Sequence, residues 1–149
     1  MKEIITDNNL ILDERIKKFI KRHNVLTLAT LDDNGPYCCN CFYVFDSDNV
    51  RFIILSENKT QHISNILLDD RVAGTIFLDT VIIGKIEGVQ FRGNIKKPNK
   101  EEINRLRLMY LQRFPFAVFK IEDIWVVDVN FIKFTDNKLG FGKKLLWKR

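Results

Sequence analysis

Apolar side chains recur along this chain with two different periods. In DERIKKFIKRHN, Ile16, Phe19, Ile20 and His23 fall on one stripe, the spacing of one face of an α-helix. Asp13 is a natural N-cap and Asn24 a natural stop. From Val25 the period drops to two. VLTLATL, YCCNCFYVF and VRFIIL read as strands. Asn34-Gly35 between the first two is a hairpin signal, because both residues tolerate positive φ. DSDN makes the next turn, so three antiparallel strands form a meander.

SENKTQHISNILLDD then predicts a helix with Ile63, Ile66 and Leu67 on its buried stripe. Ser56 and Asn58 offer caps, and Asn58 with Gln61 has capping-box spacing. RVAGTIFL is a fourth strand. TVIIGKIEG reads either as an extension of that hairpin or as a crossing to another part of the sheet. VQFRGNIKK puts Val89, Phe91 and Ile95 on one face and Gln90, Arg92 and Asn94 on the other. Gly93, on the Phe91 face, permits a bulge or lets another group approach closely. PNKEEINRLRLMYLQRF predicts a third helix with Ile103, Leu106 and Tyr110 on one face. IWVVDVNFIKF is a strand with Trp125, Val127, Val129 and Phe131 together, TDNKLG a turn, and FGKKLLW the last strand. Strands arrive in a run with helices inserted singly, and no βαβ rhythm appears. The fold expected is mainly β (α+β), a single domain over residues 1–149: an antiparallel β-barrel with peripheral helices.

Composition narrows the class. A chain of 149 residues makes about one domain and can bury a core without a disulfide or metal staple. No apolar run approaches the roughly 20 residues of a membrane span. MKEIITDNNLILDER has acids and amides where a signal peptide has its apolar core. A cytoplasmic protein is expected. Charge is unevenly placed: Lys133, Lys138, Lys143, Lys144, Lys148 and Arg149 face only Asp136 after Ile132, so this stretch carries the whole net charge of +5. Such a patch attracts anions, whether a nucleotide phosphate, nucleic acid or an acidic partner.

The candidate chemistry is sparse. Cys38, Cys39 and Cys41 are an odd set without a secretory signal, which argues against a disulfide framework. Cys39 and Cys41 share a strand face that Cys38 cannot join. Nothing in the spacing ties His23 or His62 to them, so they read as small apolar residues and no metal site is expected. LSENKTQH is the strongest local site. Ser56, Lys59 and Thr60 fall where a strand runs into a helix, whose N-terminus offers unpaired N–H groups and positive dipole. They form a phosphate receptor, or else a cap with an exposed lysine and threonine. GFGKK is not a Walker loop, which needs G-x-x-x-x-G-K-[ST]. Gly140 and Gly142 make a tight turn or let a ring lie against the backbone. Phe141 and Trp147 are stacking surfaces for single-stranded nucleic acid or core aromatics. There is no nucleophile elbow, no H-E-x-x-H and no paired-carboxylate motif. If the protein is an enzyme, the reactive chemistry belongs to a cofactor.

The order of these segments, from VLTLATLDDNGPYCCNCFYVFD through VRFIILSENKTQHISNILLDDRVAGTI to EGVQFRGNIKK, resembles the pyridoxamine-phosphate oxidase-like FMN-binding split-barrel superfamily. GVQFRGNI, RFPFAV and FIKFTDNKLGFGKKLLWKR resemble its small, uncharacterised bacterial YhbP-type branch. The resemblance implies a six-stranded antiparallel split β-barrel that forms a homodimer, with FMN in a cleft between the subunits. It implies that Ser56, Lys59 and Thr60 hold the flavin phosphate, that Thr30, Asn40 and Tyr43 line the ring, and that Gln90 contacts it. The basic tail would complete the cleft from the partner, with Lys143 or Lys144 near an anion and Trp147 against a ring. An oxidoreductase acting on a small molecule is the leading expectation. The alternatives are a non-enzymatic protein that binds nucleic acid or another polyanion, with nucleic acid the less favoured partner, and a haem-binding barrel. The substrate-binding basic and histidine residues of true pyridoxamine-phosphate oxidases find no match in the tail, so vitamin B6 oxidation is not carried over.

Overall fold

The computed structural model describes residues 4–6, 11–120 and 122–149, the first three by backbone alone. In chain order it contains β1 (Ile4–Thr6), α1 (Glu14–Arg22), β2 (Val25–Asp32), β3 (Gly35–Asp46), β4 (Arg51–Ser56), α2 (Gln61–Leu68), β5 (Arg71–Phe77), β6 (Glu87–Lys96), α3 (Ile103–Arg113), β7 (Asp123–Asp136) and β8 (Lys144–Lys148). Strands pair in the order β7-β4-β3-β2-β5-β6, and β6 pairs back onto β7. All of these pairings are antiparallel. The chain therefore forms the expected six-stranded antiparallel barrel with peripheral helices. β8 adds antiparallel to β7, and β1 adds parallel to β8. TVIIGKIEG takes the first of the two alternatives in part: a loop with a 3-10 turn at Ile83–Lys85 connects β5 to β6, and Glu87 and Gly88 extend that hairpin, with Gly88 opposite Phe77.

β7 organises the closure. Its first half pairs with β4, its second half with β8, and β6 runs along the other edge. Between the Arg92–Phe131 and Gly93–Val129 pairs, β7 carries one extra residue, Asn130. An inserted residue flips every side chain beyond it to the other face. Trp125, Val127 and Val129 face the core, and beyond the bulge Ile132 and Phe134 do. Phe131 turns outward, so its expected grouping with Trp125, Val127 and Val129 is corrected by that one residue. Gly93 makes room for the bulge: a Cβ there would stand 2.3 Å from the Asp128 carbonyl oxygen. Arg149 ties the bulge to the β3–β4 turn. Its backbone N–H donates to the Asn130 carbonyl at 3.0 Å, its Nε to Val129 at 3.0 Å and its Nη2 to Asn49 at 2.8 Å.

Two apolar layers hold the helices. The barrel interior takes Ile16, Phe19 and Ile20 of α1 and Ile63 and Ile66 of α2. α3 covers the outer side of β3, β4 and β7, packing Leu106 and Tyr110 on Val44, Ile53 and Val126. Asp13 caps α1 as expected, accepting from the Arg15 N–H at 2.8 Å. The capping box on α2 does not form. Thr60 is its N-cap and makes no side-chain cap bond, Asn58 donates to Asp123 at 2.7 Å, and Gln61 donates to Asn65 at 2.7 Å. Leu67, expected on the buried stripe, is exposed. Asn65 is buried instead and donates to Thr30 Oγ1 at 2.9 Å. That bond locks α2 against β2.

Candidate functional site

Barrel closure brings one residue from each of five strands into line. Asn40 lies opposite Thr27, Thr27 opposite Thr75, Thr75 opposite Gln90, and Gln90 opposite Lys133. These positions alternate with the core residues Leu26, Leu28, Cys41, Ile76, Val89, Phe91, Ile132 and Phe134, so the row faces outward. Thr27 Oγ1 donates to Asn40 Oδ1 at 2.9 Å. The neighbouring row reads Cys38, Ala29, Ala73, Arg92 and Phe131 in the same strand order. Its middle is small, and at its end the Arg92 guanidinium lies over the Phe131 ring, 4.8 Å from the centroid. Together the rows form a groove of about 400 Å³. A second pocket of about 430 Å³ shares Thr27 and Thr75 with it and extends past Asn40 to His23. A low apolar floor beside a straight line of amides, hydroxyls and one ammonium suits a flat, polar-edged heteroaromatic ring.

The second element is the β4–α2 junction. Ser56 Oγ lies 3.2 Å from Thr60 Oγ1 and 2.7 Å from His62 Nε2. Thr60 Oγ1 donates to the Glu57 carbonyl at 2.9 Å and accepts from no N–H of the first turn of α2. The helix therefore presents first-turn N–H groups that its own cap does not satisfy, with the exposed Lys59 beside them. Asn40 connects this end to the row, because it lines a third pocket, of about 250 Å³, together with Ser56 and His62.

Of the residues singled out from the sequence, Ser56, Lys59 and Thr60 come together, and Asn40 and Gln90 share the outer row. Three others are corrected. Tyr43 is a core residue, 1% exposed: its ring meets Phe52 edge-on and its hydroxyl donates to the Ile20 carbonyl at 2.5 Å. Burial pushes its phenol well above the ordinary range. Thr30 is buried under α2. Trp147 is 3% exposed, inside the barrel cluster, so of the two tail aromatics only Phe141 is on the surface. Lys143 lays its stem against Gly140. Lys144 pairs with Thr135, whereas Ser56 pairs with Asp123 at the other end of β7. Residues 123 and 135 are separated by most of the length of β7, a contour of up to roughly 40 Å at about 3.3 Å per residue. Within one subunit the tail lysines therefore do not reach the Ser56 site. Thr27 and Thr75 have no signal in the sequence, and Lys133 reads there only as part of the basic tail, because only the pairing register brings the three beside Asn40 and Gln90.

Cys39 and Cys41 point inward, as their shared parity with Tyr43 and Phe45 requires. Their sulfurs are 3.8 Å apart, and His62, which the spacing did not connect to them, closes on both. Cys38 faces the outer groove. The hydrogen bond with Cys41 holds the Cys39 thiol below its usual range, against burial and with help from His62. That same bond and burial push Cys41 upward.

A closed split barrel with an outer polar groove and an anion-ready helix start defines the class. Residues 12–128 match the family model described as pyridoxamine 5'-phosphate oxidase, and the chain belongs to that family. It is 39% identical to the UPF0306 protein YhbP of Escherichia coli (strain SMS-3-5 / SECEC) over 134 residues, 90% of this chain and 91% of that one. Among solved structures, a haem-binding protein from Mycobacterium smegmatis superposes with a TM-score of 0.76 at 19% identity, over 93% of this chain and 60% of that one. The chain thus spans about three-fifths of that protein's length. A FAD-binding protein from Mesorhizobium loti gives 0.65 at 12% identity, over 79% of this chain and 87% of that one. At these identities the likeness is one of fold. Among the described residues, no helix is long and apolar enough to cross a membrane.

Proposed function

We propose that the protein binds FMN along the outer groove, as a homodimer, and works as an oxidoreductase on a small molecule. The observation that carries this reading is the in-register row Asn40–Thr27–Thr75–Gln90–Lys133, joined through Asn40 to the α2 N-terminus. The residues present fit the cofactor. Uncapped first-turn amides with Lys59, Ser56 and Thr60 suit a phosphate dianion. Ala29 and Ala73 leave a flat floor for the ring, and Gln90 and Asn40 offer donors and acceptors to its polar edge. Bound FMN supplies reversible electron transfer. Lys133 at the row's end would favour negative charge developing on the bound ring. Val25, Leu31, Phe42 and Phe77 are exposed on the groove's face of β2, β3 and β5, an apolar rim suited to burial by a second copy.

The test is an FMN titration followed by flavin fluorescence and gel-filtration mass. Quenching and co-elution at dimer mass are expected, with FMN bound at least about tenfold tighter than riboflavin, a difference of about 1.4 kcal/mol. Lys59→Ala should erase that preference, while Gln90→Ala weakens both ligands alike. Unchanged fluorescence in saturating FMN would remove the proposal.

Haem is a second reading, supported by His23. Its Nδ1 lies 2.8 Å from the Phe19 carbonyl, so that nitrogen donates and Nε2 keeps the lone pair a metal needs. The residue borders pockets of about 530 and 430 Å³. A Soret band abolished by His23→Ala would support it.

A further inference from the structure

Cys39, Cys41 and His62 lie outside the outer groove. Cys39 and Cys41 sit two apart on an inward-facing strand, and His62 is the second residue of the helix packed across that end of the barrel. All three ligand atoms lie within 4.8 Å of one another. The sulfur–sulfur separation is 3.8 Å. Two thiolates each about 2.3 Å from a tetrahedral metal also stand about 3.8 Å apart. Imidazole nitrogen and thiolate around the same centre are about 3.6 Å apart, so His62 needs to move by roughly 1 Å at most. Ser56 Oγ at 2.7 Å and Thr60 Oγ1 at 3.3 Å both meet His62 Nε2, which leaves Nδ1 as the ligand nitrogen and makes the hydroxyls the kind of outer partner that orients a ligating histidine. Cys41 and His62 also line the pocket of about 250 Å³ that holds Tyr110 and Glu122. A fourth position would open into that pocket, for water or a carboxylate.

We propose that Cys39, Cys41 and His62 form a site for a thiophilic d10 cation, with Zn²⁺ as the ion it takes. Two sulfurs and one nitrogen select a soft or borderline metal over Mg²⁺ or Ca²⁺. A dication beside both sulfurs lets both thiols ionise, and binding releases their protons to solvent. The site shares the Ser56–His62 hydrogen bond with the proposed phosphate end, so metal occupancy would fix the position of Ser56 and Thr60. It requires no flavin.

The test uses the full chain, reduced and stripped with EDTA, titrated with Co²⁺ as a coloured probe and then with Zn²⁺. One equivalent of Co²⁺ is expected to give sulfur-to-cobalt charge-transfer absorption and intense tetrahedral bands, both removed by Zn²⁺. Cys39→Ser and His62→Gln should each weaken Zn²⁺ at least about tenfold, as expected for loss of one ligand. Cys38→Ser, on the outer face, should leave the affinity unchanged. Thermal unfolding of each metal-free variant establishes that it is folded, and the two ligand variants act on different elements. Cobalt spectra without charge-transfer bands, or Zn²⁺ affinity that survives both ligand variants or falls with Cys38→Ser, would overturn the site. Flavin uptake is scored separately, so failure of either proposal leaves the other standing.

Discussion

Gly93→Ala probes the point at which the barrel closes. An added Cβ would meet the Asp128 carbonyl oxygen at 2.3 Å, the Asp128 carbonyl carbon at 3.0 Å and the Val129 Cα at 3.1 Å. All three are backbone atoms of β7, so no side-chain rotation relieves the clash. Relief requires separating β6 from β7 by nearly 1 Å, beside the Asn130 bulge. Overpacking costs about 1–3 kcal/mol where neighbours can adjust. Here they are a hydrogen-bonded ladder, so about 3 kcal/mol is expected. For a domain of this size that lowers Tm by roughly 6–12 °C. Circular dichroism melts of wild type and Gly93→Ala measure it, with Gly84→Ala as the control because a Cβ there meets nothing within 4 Å. Arg92 adjoins the bulge and lines the groove, so ligand affinity should fall together with Tm. A Gly93→Ala melt within about 2 °C of wild type would refute the closure argument, since it would place the cost below about 1 kcal/mol.

Two further outcomes test the buried polar contacts. Asp46 accepts from Arg51 at 2.9 Å with both side chains nearly inaccessible. Burial raises its carboxyl, but hydrogen bonds from Arg51 and Asn49 and the Arg51 charge outweigh that and hold it below the ordinary carboxylate value. A depressed folded pKa contributes stability above the unfolded value of about 3.9 and loses it as pH falls further. Stability curves should therefore drop below about pH 4, and Asp46→Asn should cost about 1–3 kcal/mol at neutral pH, less than a stranded buried charge because Glu102 still accepts from Arg51 Nη1 at 3.0 Å, read by urea denaturation; a smaller loss than about 0.5 kcal/mol would show the pair to be unimportant. Asn65→Ala should cost about 1–3 kcal/mol through loss of the buried bond from Asn65 to the Thr30 hydroxyl, and a double-mutant cycle with Thr30→Val should show coupling; simple additivity would mean that the bond does not lock α2 to β2.

Periodicity carried the fold far, because helix stripes and strand alternation depend on local geometry alone. Asp13, the hairpin between β2 and β3 and the shared face of Cys39 and Cys41 were all legible from neighbours in the chain, although the turn is Asp33-Asn34, with Gly35 opening β3 opposite Asp32. Failures occurred where a distant contact outweighed local preference. Leu67 lost the buried stripe of α2 to Asn65, because Thr30 offers that amide a partner. Phe131 left its apparent face because of the extra residue Asn130, and bulges have no periodic signature. The family resemblance places Tyr43 and Trp147 at a cofactor cleft, yet both fill the barrel. The anion-ready junction was visible because Ser56, Lys59 and Thr60 are adjacent in sequence. Thr27, Thr75 and Lys133 were not, since alternation shows which face a residue takes and never which residue stands opposite.

The outer row draws on positions 27, 40, 75, 90 and 133. No hairpin or helix–strand unit contains it, and before β6 meets β7 the line is broken between Gln90 and Lys133. Capacity to hold a ligand there must wait for two sequence-distant pairings, β2 with β5 and β6 with β7, whose formation is slow. Ligand uptake followed during refolding would then serve as a clock for the final ring closure, while circular dichroism reports the earlier helices and meander. A ligand confined to the closed ring would also act as its fastener, adding stability in proportion to the logarithm of its concentration above Kd.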